Sequence, residues 1–260
     1  MITVHGLSNV GHVRTTNEDA MIWDLDIGFV AVADGMGGHQ AGEVASRIAL
    51  DSILSFMRKT AATDDVTWPF GVNPALSVAA NRLLTALRIG NLKVFQCAEE
   101  VPDYTGMGTT VVAIVVDGET VTYASVGDSR LYAFANGRLR QLTRDDSWVM
   151  MLSEESGASI ETLRKHPMRN VLTNVVGARP ELQVGSGEVI LGRSTLMLCT
   201  DGLHGALPEA TMASILSRQA DLKTAADALI AAALEVDGKD NLTVVLVKGK
   251  AERQEGRREG

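Results

Sequence analysis

The sequence predicts an α+β fold in which antiparallel strands form layers and helices pack on their outer faces. Three observations predict it. Short apolar runs of strand length recur along the chain. Two connections between them, Asp117-Gly118 and Asn136-Gly137, are the two-residue turns of antiparallel hairpins. The helical periodicities lie outside that hairpin region, whereas a parallel sheet would need a helix between successive strands.

Strands are expected at residues 28–33, 110–116, 120–126, 131–135, 195–200 and 242–247, each bounded by turn-forming residues. Asp-Gly and Asn-Gly suit a type I′ turn because both central positions need positive φ. With the tight loop Gly127-Asp128 between those turns, residues 110–142 read as one antiparallel meander. A first helix follows from Val44, Ala45, Ile48 and Ala49, continued by Ile53 and Met57. Leu76, Ala80, Leu83, Leu84 and Leu87, then Val94 and Phe95, mark a longer helix after Pro74. Residues 225–236 give a third, Ala-rich helix. Residues 145–177 are polar and irregular, as a flap near a site would be. No repeat or linker divides the chain, so one domain is expected over 1–248, followed by a charged, Gly-rich, disordered tail at 249–260.

The 260 residues are 45% hydrophobic and 22% charged, an ordinary soluble composition with enough chain for a full core. A net charge of −8 argues against nucleic acid or an anionic membrane as main partner. Positive charge for a phosphate must therefore come from a few arginines or a bound metal. Cys97 and Cys199 form no disulfide framework and read as small buried groups in a reducing cytoplasm. No basic patch leads into an apolar block at the N-terminus, and no apolar run approaches the ~20 residues of a membrane helix. A cytoplasmic monomer is expected.

Acidic residues gather where strands stop. Asp34-Gly35 and Asp201-Gly202 each follow an apolar run, Asp240-Asn241 precedes one, and Asp128 lies opposite the hairpin tips. Glu18 and Asp19 stand just before the first expected strand. If these strands share one sheet system, the carboxylates meet at one edge, where only a cation would offset their repulsion. Oxygen ligands beside flexible glycines suit Mg²⁺ or Mn²⁺. Any single Asp-Gly is as well explained by a turn.

Taken together, RTTNEDA from Arg14, DGMGGH from Asp34, Gly108-Thr109-Thr110, GDSR from Gly127, RNVLT from Arg169, Asp201-Gly202-Leu203 and DNLT from Asp240 resemble the PP2C-like, metal-dependent serine/threonine phosphatases of bacterial type. The motifs keep the family's order and span nearly the whole domain. The resemblance implies a four-layer α-β-β-α sandwich of two antiparallel sheets flanked by helices, and two or three Mn²⁺ or Mg²⁺ ions. It implies that Asp34 bridges two metals and the Gly35 carbonyl binds one. Asp201 and Asp240 complete a ligand set, Glu18 and Asp19 act nearby, partly through water, and Asp128 helps hold a third, weaker ion. Arg14 is the implied phosphate-binding arginine. A metal-activated water would attack phosphorus directly. No phospho-enzyme is needed, and neither cysteine is followed six positions later by an arginine. The implied partners are phosphorylated proteins, in particular a cognate serine/threonine kinase or its targets.

Two departures stand out. Met36 occupies the place of a histidine found in eukaryotic relatives, which leaves His39 as a possible general acid, although a histidine beside two glycines is more often a loop hydrogen-bonder. Asp145-Asp146-Ser147 stands where many relatives have Asp-His-Ser, and is expected to be a neutral surface change. Residues 187–194 nearly spell a phosphate-binding loop but precede a strand, and so read as a turn. Asp24-Leu25-Asp26 reads as a surface turn, and Trp68-Pro69-Phe70-Gly71 as an apolar plug between helices. The other readings are a catalytically dead relative serving as a binding module and a small-phosphoester hydrolase.

Overall fold

In the computed structural model, residues 2–38, 41–63, 67–163 and 166–249 are described. Two antiparallel sheets lie face to face, and helices cover both outer surfaces. The elements run β1 (Ile2–Asn9), β2 (Asp19–Asp24), β3 (Phe29–Met36), α1 (Ala41–Ala61), α2 (Val78–Glu100), β4 (Gly108–Thr109), β5 (Val111–Asp117), β6 (Thr120–Val126), β7 (Arg130–Ala135) and β8 (Arg138–Gln141). They continue with α3 (Trp148–Ser156), α4 (Ile160–Leu163), β9 (Gly185–Ile190), β10 (Thr195–Cys199), α5 (Asp201–Ala206), α6 (Glu209–Arg218), α7 (Leu222–Val236) and β11 (Leu242–Gly249). One sheet has the order β2-β3-β5-β6-β9, with β4 attached to β3; the other is β1-β11-β10-β7-β8.

Strand alternation builds the layers. On β3, Phe29, Ala31 and Ala33 face α1 and α2, while Val30 and Val32 face the other sheet. On β10, Met197 and Cys199 pack under the C-terminal helices and Leu196 and Leu198 fill the space between sheets. The alanines Ala31, Ala33, Ala113 and Ala124 leave room for α1 and α2 to lie close to their sheet. Ser77 caps α2 by accepting from Ala80 N at 3.0 Å, and Asp221 caps α7 from its side chain to Thr224 N at 3.0 Å.

Several expectations change. Residues 110–142 do not form one meander. They make two hairpins, β5–β6 and β7–β8, in different sheets; β6 pairs onward with β9 and β7 with β10. Gly127-Asp128-Ser129 is therefore a crossover between layers. Residues 187–190 of the phosphate-loop lookalike belong to strand β9, with the turn only after Ile190. β1 and β2 were not anticipated, because their polar residues and half-burial weaken the apolar signal. The strand β11 runs two residues past its expected end at 247 and one residue into the expected tail, since Gly249 still pairs with Ile2. The rest of the expected tail, 250–260, lies outside the described residues, as does His39. Pro69 and Phe70 are exposed on a surface loop, with Arg88 5.9 Å from the Phe70 ring, so they plug nothing.

Candidate active site

The acidic residues do meet, at the end of the sandwich opposite the hairpin tips. Asp34 lies near the end of β3 and is paired in register with Asp19 at the start of β2. Asp201 opens α5 directly after β10, Asp240 precedes β11, and Asp128 sits on the crossover. The first two thus come from one sheet, the next two from the other, and the last from the chain between them.

Burial and mutual repulsion shape their chemistry. Burial, then the charges of Asp19, Asp201 and Asp128, holds the Asp34 carboxyl well above its ordinary pKa, and Asp34 and Asp201 hydrogen-bond to each other. Burial pushes Asp19 up to about 7 against hydrogen bonds from Thr243 and Thr200, the latter at 2.9 Å. Asp128 also rises to about 7, first through burial and then through Asp201. Asp201 is raised by burial and then by Asp240, and Glu18 chiefly by burial. Arg14 donates to Asp240 at 3.0 Å at the rim, where their side chains are 48% and 41% exposed. The charges of Glu18 and Asp34 also reach it.

The scaffold is dense. An added Cβ on Gly35 would lie 1.9 Å from the Gly42 carbonyl oxygen and 2.8 Å from that of Glu18. The Gly35 amide donates to Glu18 O at 3.1 Å. At the first turn of α1, the Gly42 amide faces the Glu18 carboxylate, a favourable place for an anion. Asn241 ties the Arg14–Glu18 segment down: its Oδ1 accepts from Glu18 N at 2.8 Å, and its Nδ2 donates to Val10 O and Thr16 O, both at 3.0 Å. Thr110 Oγ1 accepts from Asp34 N at 3.1 Å and meets Ser129 Oγ at 2.7 Å.

Three observations bear on a cation. The donor set is all oxygen, the carboxyls are pushed up by one another, and Asp19 Oδ1 is buried without a hydrogen-bond partner. These residues therefore fit a hard divalent ion, which would satisfy the orphaned oxygen and offset the repulsion. As they stand among the described residues, no three His, Cys, Asp or Glu groups surround one point at ligand spacing. The acids pair instead, Asp34 with Asp201 and Asp240 with Arg14.

Sequence reasoning missed the supports. Behind Asp128, Arg130 makes a bidentate, largely buried ion pair with Asp145 (2.9 and 2.6 Å) and donates to Tyr132 Oη at 2.8 Å. His204 on α5 brings Nε2 to 3.0 Å from the Asp128 carbonyl oxygen. Its place three residues after Asp201, one helical turn on, was the available signal. Asp146 is no neutral surface change: its side chain is 22% exposed and accepts from Gly127 N at 3.1 Å and Asn174 Nδ2 at 2.7 Å. The flap is also more ordered than expected, with α3, α4 and a Trp148–His166 ring stack at 4.5 Å.

With a four-layer sandwich and a carboxylate cluster at its open end, residues 11–236 match the family described as Protein phosphatase 2C, and the chain belongs to that family. It is 37% identical over 246 residues to a serine/threonine phosphatase, Stp, of Listeria innocua, covering 92% of each chain. Its fold is similar to that of the serine/threonine phosphatase PstP/Ppp of Mycobacterium tuberculosis, with a TM-score of 0.83, 31% identity and 96% and 99% of the two chains covered. A structure of the PstP catalytic domain in complex with two manganese ions is also similar, with a TM-score of 0.78, 30% identity and 95% and 97% covered. Among the described residues no helix is long and apolar enough to cross a membrane.

Proposed function

We propose that this chain hydrolyses phosphoserine and phosphothreonine in proteins and depends on a divalent cation held by the strand-end carboxylates. Membership of the protein phosphatase 2C family and the named relatives support the enzyme class. The observation that carries the site reading is the half-buried convergence of Asp34, Asp19, Asp201 and Asp128, with Arg14 and Asp240 at the rim.

A cation bound there would supply the water for attack and neutralise charge on the phosphoryl group. Asp34, Asp201, Asp240 and the Gly35 carbonyl are the proposed holders, with Glu18 and Asp19 beside them and Asp128 at a further, weaker position. The chain's own contributions are clearer still. Arg14 presents a guanidinium fork at the rim, suited to two phosphoryl oxygens. Gly35 and Gly42, lacking side chains, let β3 and α1 close on the Glu18 carboxylate. Thr110, Thr200 and Asn241 fix the carboxylates and their backbone before substrate arrives, which is what electrostatic preorganisation requires. The partners in this reading are phosphorylated proteins, including a kinase or its targets, and the catalytic domain runs through β11 to Gly249.

Phosphate release from a phosphothreonine peptide tests it, measured with Mn²⁺, with EDTA and in Asp201→Ala. Activity should need the ion and fall at least ~100-fold in the variant. Undiminished activity in EDTA, or in Asp201→Ala, would overturn the site assignment.

A further inference from the structure

The flap does not hang free beside the acidic cleft. Its two ends are laced together by Trp148 N to Val171 O at 2.8 Å, by Thr173 N to Asp146 O at 2.8 Å, and by a bridge between Ser147 and Leu172. Both ends are then joined to the crossover that carries Asp128. Asp146 N donates to Gly127 O at 2.8 Å, and the Asp146 carboxylate accepts back from Gly127 N at 3.1 Å. The same carboxylate oxygen, Oδ2, accepts from Asn174 Nδ2 at 2.7 Å, and that amide also donates to Gln183 O at 2.8 Å. One oxygen therefore links three pieces of chain: the start of the flap, its end, and the residue before Asp128.

The crossover has little freedom of its own. Gly127 has φ +91°, and a Cβ there would lie 2.6 Å from the Thr110 side chain. Ser129 is held by Thr110, and the Asp128 carbonyl meets His204 on α5. The peptide groups of Gly127 are the remaining handles on this loop, and both partners, Asp146 N and Asp146 Oδ2, come from the flap. Arg144 faces the other Asp146 oxygen, but at 3.8 Å and 51% exposed it adds little.

We propose that Asp146 is a positioning residue that couples the flap to Asp128, so that the placement of one sets the placement of the other. The clasp stands on geometry alone, while its consequence for cation binding rests on the phosphatase reading above. Losing the Asp146 carboxylate orphans the buried Gly127 amide and leaves the Asn174 side chain with Gln183 O alone, a loss that local opening should report. A change in flap position, for instance when a phosphopeptide is held, would be felt at Asp128 through the same oxygen.

The experiment is hydrogen exchange on metal-free wild type, Asp146→Ala, Asp146→Asn and Asn174→Ala, followed in the 120–132 and 146–176 segments, with Mn²⁺ affinity measured by calorimetry. Asp146→Ala should speed exchange about tenfold in both segments and weaken Mn²⁺ binding several-fold, whereas Asp146→Asn, which keeps an acceptor oxygen there, should stay near wild type. Asn174→Ala touches only the flap side, yet should also speed exchange around Gly127. Combining it with Asp146→Ala should add little. If Asn174→Ala loosens the flap and leaves 120–132 unchanged, or Asp146→Ala loosens only one segment, the coupling is overturned. Should Asp146→Ala fail to fold, Asn174→Ala decides alone. If wild type takes up no Mn²⁺, the phosphatase reading fails, and the exchange data still decide the clasp.

Discussion

At the hairpin end of the sandwich, Gly118 and Gly137 have φ of +59° and +73°, and nothing lies within 4 Å of where their Cβ atoms would be. At the acidic end, Gly35 and Gly202 have ordinary φ, but an added Cβ would come within 1.9 Å of Gly42 O and 2.0 Å of Asn241 O. The hairpin glycines answer a local need of the turn backbone. Those at the acidic end answer a long-range need, because β3 must touch α1 and α5 must touch the segment before β11 for the carboxylates to gather. A substitution therefore meets only backbone strain at the hairpin end, whereas at the acidic end it meets space already filled by backbone.

The largest effect that would break this contrast is at Gly35. Gly35→Ala should cost at least ~3 kcal/mol, because backbone and not a flexible side chain fills the space. Thermal unfolding by circular dichroism checks it, and a change below 1 kcal/mol would show that the acidic end is looser than it looks.

Next comes pH. Asp19 and Asp128 have folded-state pKa values raised to about 7, above the ordinary carboxylate range of the unfolded chain. A raised carboxyl contributes stability below its unfolded pKa and loses it as pH climbs through the folded value. Metal-free protein should thus lose Tm between pH 5.5 and 7.5, on the order of 10 °C, from about 1.4 kcal/mol per pH unit and group. In the reading proposed above, Mn²⁺ restores stability more at pH 7.5 than at pH 5.5. A flat metal-free profile across that window would contradict the buried repulsion.

A smaller effect is expected at Asn241. Asn241→Ala removes three hydrogen bonds, two of which hold the Arg14–Glu18 segment and one Val10, and should cost about 2 kcal/mol. Phosphate release should fall with it, since Arg14 loses its support; unchanged kcat/KM would mean that Arg14 is placed by other contacts. The smallest change sharpens the comparison from the other side. Gly118→Ala should cost about 1 kcal/mol for its positive φ and leave metal-dependent activity as it is. A drop in activity there would tie the hairpin end to the site.

The acidic cluster was largely legible, because each carboxylate sits within a residue or two of an apolar run and strand ends can be read locally. Its supports were not. Asp146, His204 and Arg130 act through partners 19, 76 and 15 residues away, and no periodicity connects such positions. β9 escaped because its Gly-Ser-Gly start carries no apolar alternation; β6 supplies the pairing that makes it a strand. The crossover was misread for a related reason, since a tight turn inside one sheet and a step between two sheets use the same residues.

By itself the sequence determined six of the strands (β3, β5, β6, β7, β10 and β11), the helices α1, α2 and α7, the two hairpin turns and the acids at strand ends. Each of these follows from side-chain spacing and backbone preference within a few residues. Only the tertiary structure decided that β5–β6 and β7–β8 belong to different sheets. It alone decided that acids from both sheets face one another, Asp34 against Asp201, and that a flap aspartate reaches the Gly127 amide. The physical reason is that hydrogen-bonding edges and apolar faces are alike on every strand, so which strands pair is settled by packing the whole chain at once.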